Sequence, residues 1–296
     1  MPTPQPGILA DLPSSARYLT FNLLPGADPR PCLRALARRP VGTDLVVGIG
    51  LPLAAALRSA IDGLRAFPAH TGPGFGVPST QDALWCWLRG EDRGELVHLG
   101  RQFEALLEDA FVVEDVVDAF KYGSGRDLTG YEDGTENPKG EAAVAAALAT
   151  GGLQGSSFVA VQQWLHDLDA FEALSDKARD HVFGRRRSDN VELTDAPDSA
   201  HIKRTAQESF TPPAFVLRRS MPWADSDGEG LVFVAFGRTL DAFETLLAHM
   251  TGADDGVVDS LFSISRPITG ASYWCPPVSG GHLDLSALGI KPTRRH

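Results

Sequence analysis

The chain has 296 residues, of which 43% are hydrophobic and 22% charged, with a formal net charge of −11. This is typical of a globular protein with two domains, and the acidic balance argues against nucleic acid as a partner. No segment approaches the ~20 apolar residues of a membrane span, and the N-terminus MPTPQPGILADLPSS lacks the basic start and apolar core of a secretion signal. We therefore expect a cytoplasmic protein that does not act at a membrane.

The first half predicts strands and helices in alternation. ARYLTFNLL (16–24) is rich in strand formers, and DLVVGIG (44–50) is a second strand followed by the helical pattern LPLAAALRSAIDGL. ALWCWLRG (83–90) predicts a third strand, and ELVHLGRQFEALLEDAF combines a short β-like start with an amphipathic helix. This order is typical of an α+β fold rather than of a parallel sheet.

The second half repeats the plan. SSFVAVQQWLHDL (156–168) predicts a strand that leads into the helix FEALSDKARDHVFG, and AFVLRRSMPW (214–223) and GLVFVAFG (230–237) predict paired strands before the helix DAFETLLAHM (241–250). Both halves contain an apolar strand, a glycine, a short link and an amphipathic helix. We therefore predict two similar α+β domains, residues 1–150 and 151–296, related by duplication and connected through the polar stretch 121–155.

One loop at this connection, GYEDGTENP (130–138), has no apolar periodicity and must turn sharply. It contains a carboxylate, Asp133, directly before Gly134. A surface turn or a loose calcium-binding loop would explain it, although its spacing does not match the twelve-residue calcium loop. The other interpretation is that the loop carries Asp133 into a pocket at the domain junction, where ligand sites often form.

Three other residues, His201, Arg218 and Arg219, have side chains that could bind a cofactor or an anionic group. His201 follows a long polar run and has too few neighbouring ligands for zinc, but one histidine is enough to hold a haem iron from one side; a plain loop histidine is the alternative. Arg218 and Arg219 lie in one predicted strand, so one should point inward, towards a carboxylate such as Asp133, and the other to solvent. A structural salt bridge would look the same.

The run GRRRSDN (184–190) places three arginines in an otherwise acidic chain, either as solvated surface or as a site for the carboxylates of a cofactor. The later stretch GADDGVVDSLFSISRP (252–267) is acidic, and its spacing also departs from the calcium loop. The chain contains no GxSxG, Walker or dinucleotide-binding fingerprint, which weakens hydrolase, NTPase and dehydrogenase interpretations.

Taken in order along the chain, these segments resemble the dye-decolorising peroxidases, a family of haem enzymes, and in particular their compact bacterial subgroup. The GxxDG motif of that family stands here as residues 130–134, and further matches are FGRRRSDNVEL (183–193), SAHIKR around His201, VLRRSMPW (216–223), GLVFVAF and DGVVDSLFSISRPITG. The resemblance implies an α+β fold of two ferredoxin-like domains with antiparallel sheets, duplicated and resembling a dimeric α+β barrel, with haem in the C-terminal domain.

The resemblance also implies the role of each site residue. His201 would be the proximal ligand of the iron of one haem b, Asp133 the distal acid–base residue and Arg218 the distal arginine. The remaining matches contact the haem or its ligand: Arg185 a propionate, Asp259 the far nitrogen of the proximal histidine, and Leu231 and Phe233 the distal haem face. Where some relatives have an asparagine that helps to position peroxide, this chain has Ser220.

The function implied is that of a haem peroxidase, which reduces hydrogen peroxide and oxidises phenolic or dye-like donors through a ferryl intermediate, in a dimer or higher homo-oligomer. Five aromatics are oxidisable and would relay electrons from a surface site, so that donors need not reach the iron, although core packing would also explain them: Trp164, Trp223, Trp274, Tyr131 and Tyr273. The alternatives are a haem carrier or delivery protein with incidental peroxidase activity, and a haem-free binding module. The tail HLDLSALGIKPTRRH (282–296) is of the kind with which some relatives enter a protein nanocompartment, but it shows no docking repeat.

Overall fold

A computed structural model describes residues 2–291 of the chain. Within this range the strands are β1 (Ser15–Leu23), β2 (Leu45–Gly50), β3 (His70–Gly72), β4 (Phe75–Val77), β5 (Leu84–Gly90), β6 (Phe111–Phe120), β7 (Ser157–His166), β8 (Leu217–Arg218), β9 (Met221–Ala224), β10 (Glu229–Gly237), β11 (Ser265–Pro267), β12 (Ala271–Cys275), β13 (Val278–Ser279) and β14 (His282–Leu283). The α-helices are α1 (Pro6–Leu9), α2 (Arg30–Ala37), α3 (Leu51–Ala56), α4 (Arg93–Leu107), α5 (Glu141–Ala147), α6 (Leu168–Ala173), α7 (Asp176–Phe183), α8 (His201–Arg204) and α9 (Asp241–Met250).

Eight of the strands form a closed antiparallel ring. The pairing runs from β7 through β12, β2, β5, β1, β6, β9 and β10, and β10 pairs again with β7. The narrowest junction joins β6 to β9 through the single pair Ala119 and Trp223. Strands β8 and β11 prolong the ring on β10 and β7. The predicted α+β class with antiparallel strands is therefore confirmed.

Successive side chains of each strand point to opposite faces of the ring, so one core lies inside the barrel and others lie outside it, between the strands and the helices. One hydrophobic cluster contains side chains from all eight ring strands, among them Tyr18, Trp85, Trp223 and Tyr273, so it forms the core inside the barrel. The opposite faces of the N-terminal strands pack on α2 and α4, and the opposite faces of β7 and β10 face α9. The outer face of β7 and β10 is thus available to a site bounded by helices.

Three predicted boundaries are wrong, and in two of these cases a capping side chain, rather than the apolar pattern, sets the start of the helix. The β-like start predicted for ELVHL lies inside α4, since the side chain of Asp92 accepts a hydrogen bond from the Glu95 N–H and starts the helix there. The single helix predicted after β7 is two helices, because Ser175 caps a second one, α7. The helix after β2 ends early, at Ala56.

The described part of the C-terminal tail packs against the core of the chain. Four apolar residues of the tail considered above for docking are buried in the core cluster under the N-terminal strands, so this part of the tail packs against the chain itself: Leu283, Leu285, Leu288 and Ile290. Residues 292–296, the basic end of that tail, lie outside the described residues. Across the described range, every helix is too short or too polar to span a bilayer.

Candidate active site

A pocket on the outer face of β7 and β10 collects the predicted site residues. Six of the seven line it: Asp133, Arg185, His201, Arg218, Leu231 and Phe233. The seventh, Asp259, lies behind His201 and contacts its ring. These seven residues come from six separate parts of the chain, so the site exists only in the folded protein.

The floor of the pocket is apolar. Leu231 and Phe233 project from β10 at alternate positions and therefore share one face, as the sequence predicts. Helix α9 supplies the facing wall with Phe243, Leu246 and Leu247. A flat apolar ligand would bury its faces against these side chains.

His201 begins the short helix α8 and is held by a buried carboxylate. Its Nδ1 lies 2.8 Å from Oδ2 of Asp259, whose side chain is fully buried. The other Asp259 oxygen accepts a hydrogen bond from the Leu261 N–H at 2.8 Å, which fixes the carboxylate. With a proton on Nδ1, the lone pair on Nε2 is free, and within residues 2–291 the ring has no second hydrogen-bond partner. This is the arrangement of a metal-binding histidine with its supporting acid.

Asp133 and Arg218 form an ion pair in the same pocket. The Arg218 Nη1 lies 3.3 Å from Asp133 Oδ1, and the two side chains are 17% and 21% exposed. Asn137 connects the loop to the strand, because its amide accepts from the Arg218 N–H at 2.8 Å and donates to the Arg218 carbonyl at 3.0 Å. The GYEDGTENP loop is thereby fixed to β8, and its carboxylate cannot be a free surface group.

The loop is anchored at its other end by Tyr131. The ring stacks on Phe183 with centroids 4.0 Å apart, and the hydroxyl donates to Asp180 at 2.5 Å. Burial, together with this hydrogen bond, raises the pKa of the Tyr131 phenol well above its usual value, so it remains a neutral donor. Gly134 has a φ of +71°, a conformation that only glycine adopts readily, and a Cβ there would lie 2.7 Å from the Asn137 amide nitrogen.

The rim of the pocket contains the first of the three arginines. Arg185 donates from Nη1 to the Asn190 carbonyl at 2.9 Å and contacts the carboxylate of Glu136. Arg186, by contrast, pairs with exposed Asp189, as expected for solvated surface. Only part of the arginine run therefore faces the pocket, and Arg185 is the member placed to meet an anionic group.

Two buried donors in the pocket lack partners. Among the described residues, Arg218 Nε and the Gln162 amide nitrogen make no hydrogen bond, although both atoms are buried. Both side chains line the pocket. Buried donors are satisfied in nearly all native proteins, so these two indicate a ligand with polar groups in this cavity.

The pocket wall also contains a buried group of Asp127, His166 and Ser265 that was not predicted from the sequence. His166 Nε2 lies 2.9 Å from Asp127 Oδ1, and its Nδ1 lies 2.6 Å from Ser265 Oγ. Burial alone would raise the pKa of the Asp127 carboxyl, but the hydrogen bonds from His166 and Thr129 and the charge of His166 outweigh it, so the pKa is lower than usual. The only available signal was that His166 falls in register with Gln162 and Trp164 on the outward face of β7.

Two other expectations need correction. Arg219 does point away from Arg218, but not into solvent: its Nη2 donates to the Leu9 carbonyl at 3.2 Å, and burial lowers its pKa. The five aromatics predicted as an electron relay are all buried, so a relay that begins at the surface would need another residue. Trp164 and Tyr131 are the two of them that line the pocket.

Comparison with known proteins identifies the family. The family model described as "Dyp-type peroxidase, C-terminal" matches residues 124–280. A dye-decolorizing peroxidase from Mycobacterium tuberculosis is 30% identical over 224 residues, which cover 73% of this chain and 67% of the relative. The chain belongs to the dye-decolorising, or DyP-type, peroxidase family.

Solved structures agree in fold along nearly the whole chain. A protein from Shewanella oneidensis described as a dyp-type peroxidase superposes with a TM-score of 0.87 at 28% identity, covering 97% of this chain and 98% of its own. A DypB variant from Rhodococcus jostii RHA1, in complex with heme, gives a TM-score of 0.82 at 27% identity, with coverage of 92% and 95%.

Proposed function

We propose that the pocket on β7 and β10 holds one haem b, with His201 as the iron ligand and Asp133 and Arg218 as the residues that act on peroxide. The chain is a haem peroxidase that reduces hydrogen peroxide and oxidises organic donors. The observation that carries the assignment of the site is that a carboxylate-supported histidine and an Asp–Arg ion pair share one apolar pocket.

The residues present fit haem in each chemical respect. The apolar floor suits the porphyrin faces, and the unpartnered donors on Arg218 and Gln162 suit a ligand with polar substituents. Among the described residues, the one acidic partner of Arg185 at the rim is the exposed Glu136, so Arg185 is available to a propionate. The likeness to the R. jostii variant in complex with heme supports the same assignment.

Haem, when bound, supplies the iron that passes oxidising equivalents from peroxide to the donor. His201 presents Nε2 to it, because Asp259 holds the proton on Nδ1 and orients the ring. Ionised Asp133 takes a proton from one peroxide oxygen and returns it to the other, which then leaves as water. The Arg218 guanidinium holds Asp133 in place and stabilises negative charge on the departing oxygen.

The Asp133–Arg218 pair favours turnover over haem carriage. A carrier needs an iron ligand and apolar walls, but it gains nothing from an acid–base group next to a guanidinium. Phenols and dye-like molecules are the donors expected. Assembly as a homo-oligomer, a cytoplasmic location and loading into a nanocompartment stay predictions.

We further infer that the fold consists of two ferredoxin-like domains, residues 1–150 and 151–296, that arose by duplication. The strand order β2-β5-β1-β6 in the first half matches β9-β10-β7-β12 in the second, when each half is numbered along the chain. Haem would then belong to the second domain, with the GYEDGTENP loop contributed by the first.

The test compares Asp133→Asn and Arg218→Leu with the matched variant Arg219→Leu, which removes an equal charge on the opposite face. Each protein is loaded with haem, its Soret band is recorded, and peroxide-dependent oxidation of a phenol is measured. We expect all three to keep the Soret band, while the first two lose turnover by about 100-fold or more, the range of general acid–base catalysis. Unchanged turnover in both Asp133→Asn and Arg218→Leu would overturn the assignment of the two residues.

A further inference from the structure

A second cavity, of about 500 Å³, opens at one end of the barrel interior. Strands β7 and β10 separate it from the haem pocket: Gln162, Trp164, Leu231 and Phe233 face the haem pocket, whereas the intervening residues on both strands face the barrel. The two linings share no residue. The barrel-end cavity is therefore a separate site, and its volume is in the range of small-molecule pockets.

One side of the barrel-end cavity is a stack of aromatic rings. Trp85 is stacked between Tyr18 and Tyr273, with centroid distances of 6.2 Å and 5.9 Å and an interplanar angle of 17° on both sides. All three side chains line the cavity. The edges of aromatic rings attract the faces of other aromatic rings.

Buried donors in the same wall have no partner. Within residues 2–291, the Tyr18 hydroxyl and the Trp85 indole nitrogen make no hydrogen bond, although the two residues are 3% and 0% exposed. The Thr20 hydroxyl, from the adjacent inward position of β1, is also buried and unpartnered. Unsatisfied buried polar groups are rare in native proteins, and the oxygens of the Tyr18 and Thr20 hydroxyls can accept hydrogen bonds from a ligand that carries a donor.

The mouth of the barrel-end cavity is acidic. Asp82, Glu114 and Asp115 line it, and the Asn22 amide donates to Asp82 and to Glu114 at 3.1 Å each. The ladder between β1 and β6 shifts register at Glu114, and this bulge turns two successive carboxylates to the mouth.

No positive charge balances these acids in the described part of the chain, where no lysine, arginine or histidine comes within 4.0 Å of the three carboxylates. Burial raises the pKa of Asp82 to about 6, and the charge of Glu114 adds to this effect, although the hydrogen bond from Asn22 opposes it. The mouth therefore holds negative charge at a free-energy cost that a bound cation would relieve.

We propose that the barrel-end cavity is a second binding site, for a small aromatic molecule that carries a protonated amine. The aromatic ring packs against the edges of the Tyr18–Trp85–Tyr273 stack, and the ammonium group meets Asp82 and Glu114 at the mouth. The site is independent of the haem assignment, because it lies on the other face of the shared strands.

The experiment measures binding of phenethylammonium to the haem-loaded protein by isothermal titration calorimetry, without peroxide, while the Soret band is followed. The neutral molecule 2-phenylethanol serves as the matched ligand. The variants are Asp82→Asn and Glu114→Gln, and the control is Glu229→Gln, which removes an exposed carboxylate of β10 outside the cavity.

We expect one amine per chain, binding at least tenfold more weakly to Asp82→Asn or to Glu114→Gln but equally to Glu229→Gln. The alcohol should also bind at least tenfold more weakly, and the Soret band should not change. Glu114 is exposed, so its variant provides the answer even if Asp82→Asn fails to fold. No saturable binding at millimolar amine, wild-type affinity in both Asp82→Asn and Glu114→Gln, or a Soret shift on binding would overturn the proposal.

Discussion

Replacing Asp259 by asparagine should weaken haem binding through the tautomer of His201. In the wild type, one carboxylate oxygen accepts from His201 Nδ1 and the other from the Leu261 N–H, each at 2.8 Å. An asparagine that keeps the bond from Leu261 turns its NH₂ group towards Nδ1. Two donors then face each other unless the histidine proton moves to Nε2, the atom that must bind iron. If the amide instead turns around, the bond from Leu261 is lost.

Either way the variant loses about one buried, charge-assisted hydrogen bond, because Asp259 is fully buried and water cannot replace it. Such bonds contribute about 1.5–3 kcal/mol, which corresponds to a roughly 10- to 100-fold loss of iron affinity. The fold should survive, since asparagine has the shape of aspartate.

The assay is transfer of haem to excess apomyoglobin, followed in the Soret region, with the dissociation rate compared between wild type and variant. The matched control is Asp254→Asn, which alters a second Asp–His contact of the same 2.8 Å length, to His249, at the protein surface. We expect at least tenfold faster haem loss for Asp259→Asn and an unchanged rate for the control. Equal rates in all three proteins would refute the argument that Asp259 sets the state of His201.

Three further predictions concern the loop and the barrel. Gly134→Ala should lower peroxide turnover by about tenfold or more with haem retained, because its Cβ would displace the Asn137 amide; steady-state kinetics and the Soret band test this. Tyr131→Phe removes the bond to Asp180 and should cost about 1 kcal/mol of unfolding free energy, measured by denaturant titration; no change would contradict it. Asp82, with its pKa raised from 3.8 to about 6, contributes stability below pH 4 that is lost as the pH rises through 6, so Asp82→Asn should gain thermal stability relative to wild type over that window, and a pH-independent difference would contradict the burial argument.

The elements that could be predicted are those whose signal is local. Helix α9 has the predicted bounds, and β2, β5 and β10 differ from theirs by at most a residue, because apolar periodicity is contained within each segment. The single helix predicted after β7 failed because the hydroxyl of Ser175 starts a new helix, and a cap is only one residue long.

The site could be predicted only in part, because its contacts are long-range. Asp133 and Arg218 are far apart in sequence: strand alternation made Asp133 one candidate partner of an inward-pointing arginine, and only the resemblance to a known family assigned Arg218 to it. The contact between Asp127 and His166 had no such guide, since neither residue interrupts a pattern, and it went unnoticed. Closure of the barrel likewise depends on pairings between distant segments, such as Ala119 with Trp223, and the residue pattern within a single strand does not predict its partner.

The most direct test of the central claim is a crystal structure of the haem-loaded protein. The account predicts iron bound to Nε2 of His201, with Nδ1 still hydrogen-bonded to Asp259 and with Asp133 and Arg218 on the opposite face of the porphyrin. Iron bound to another residue, such as His166, or haem bound outside the pocket on β7 and β10, would contradict it.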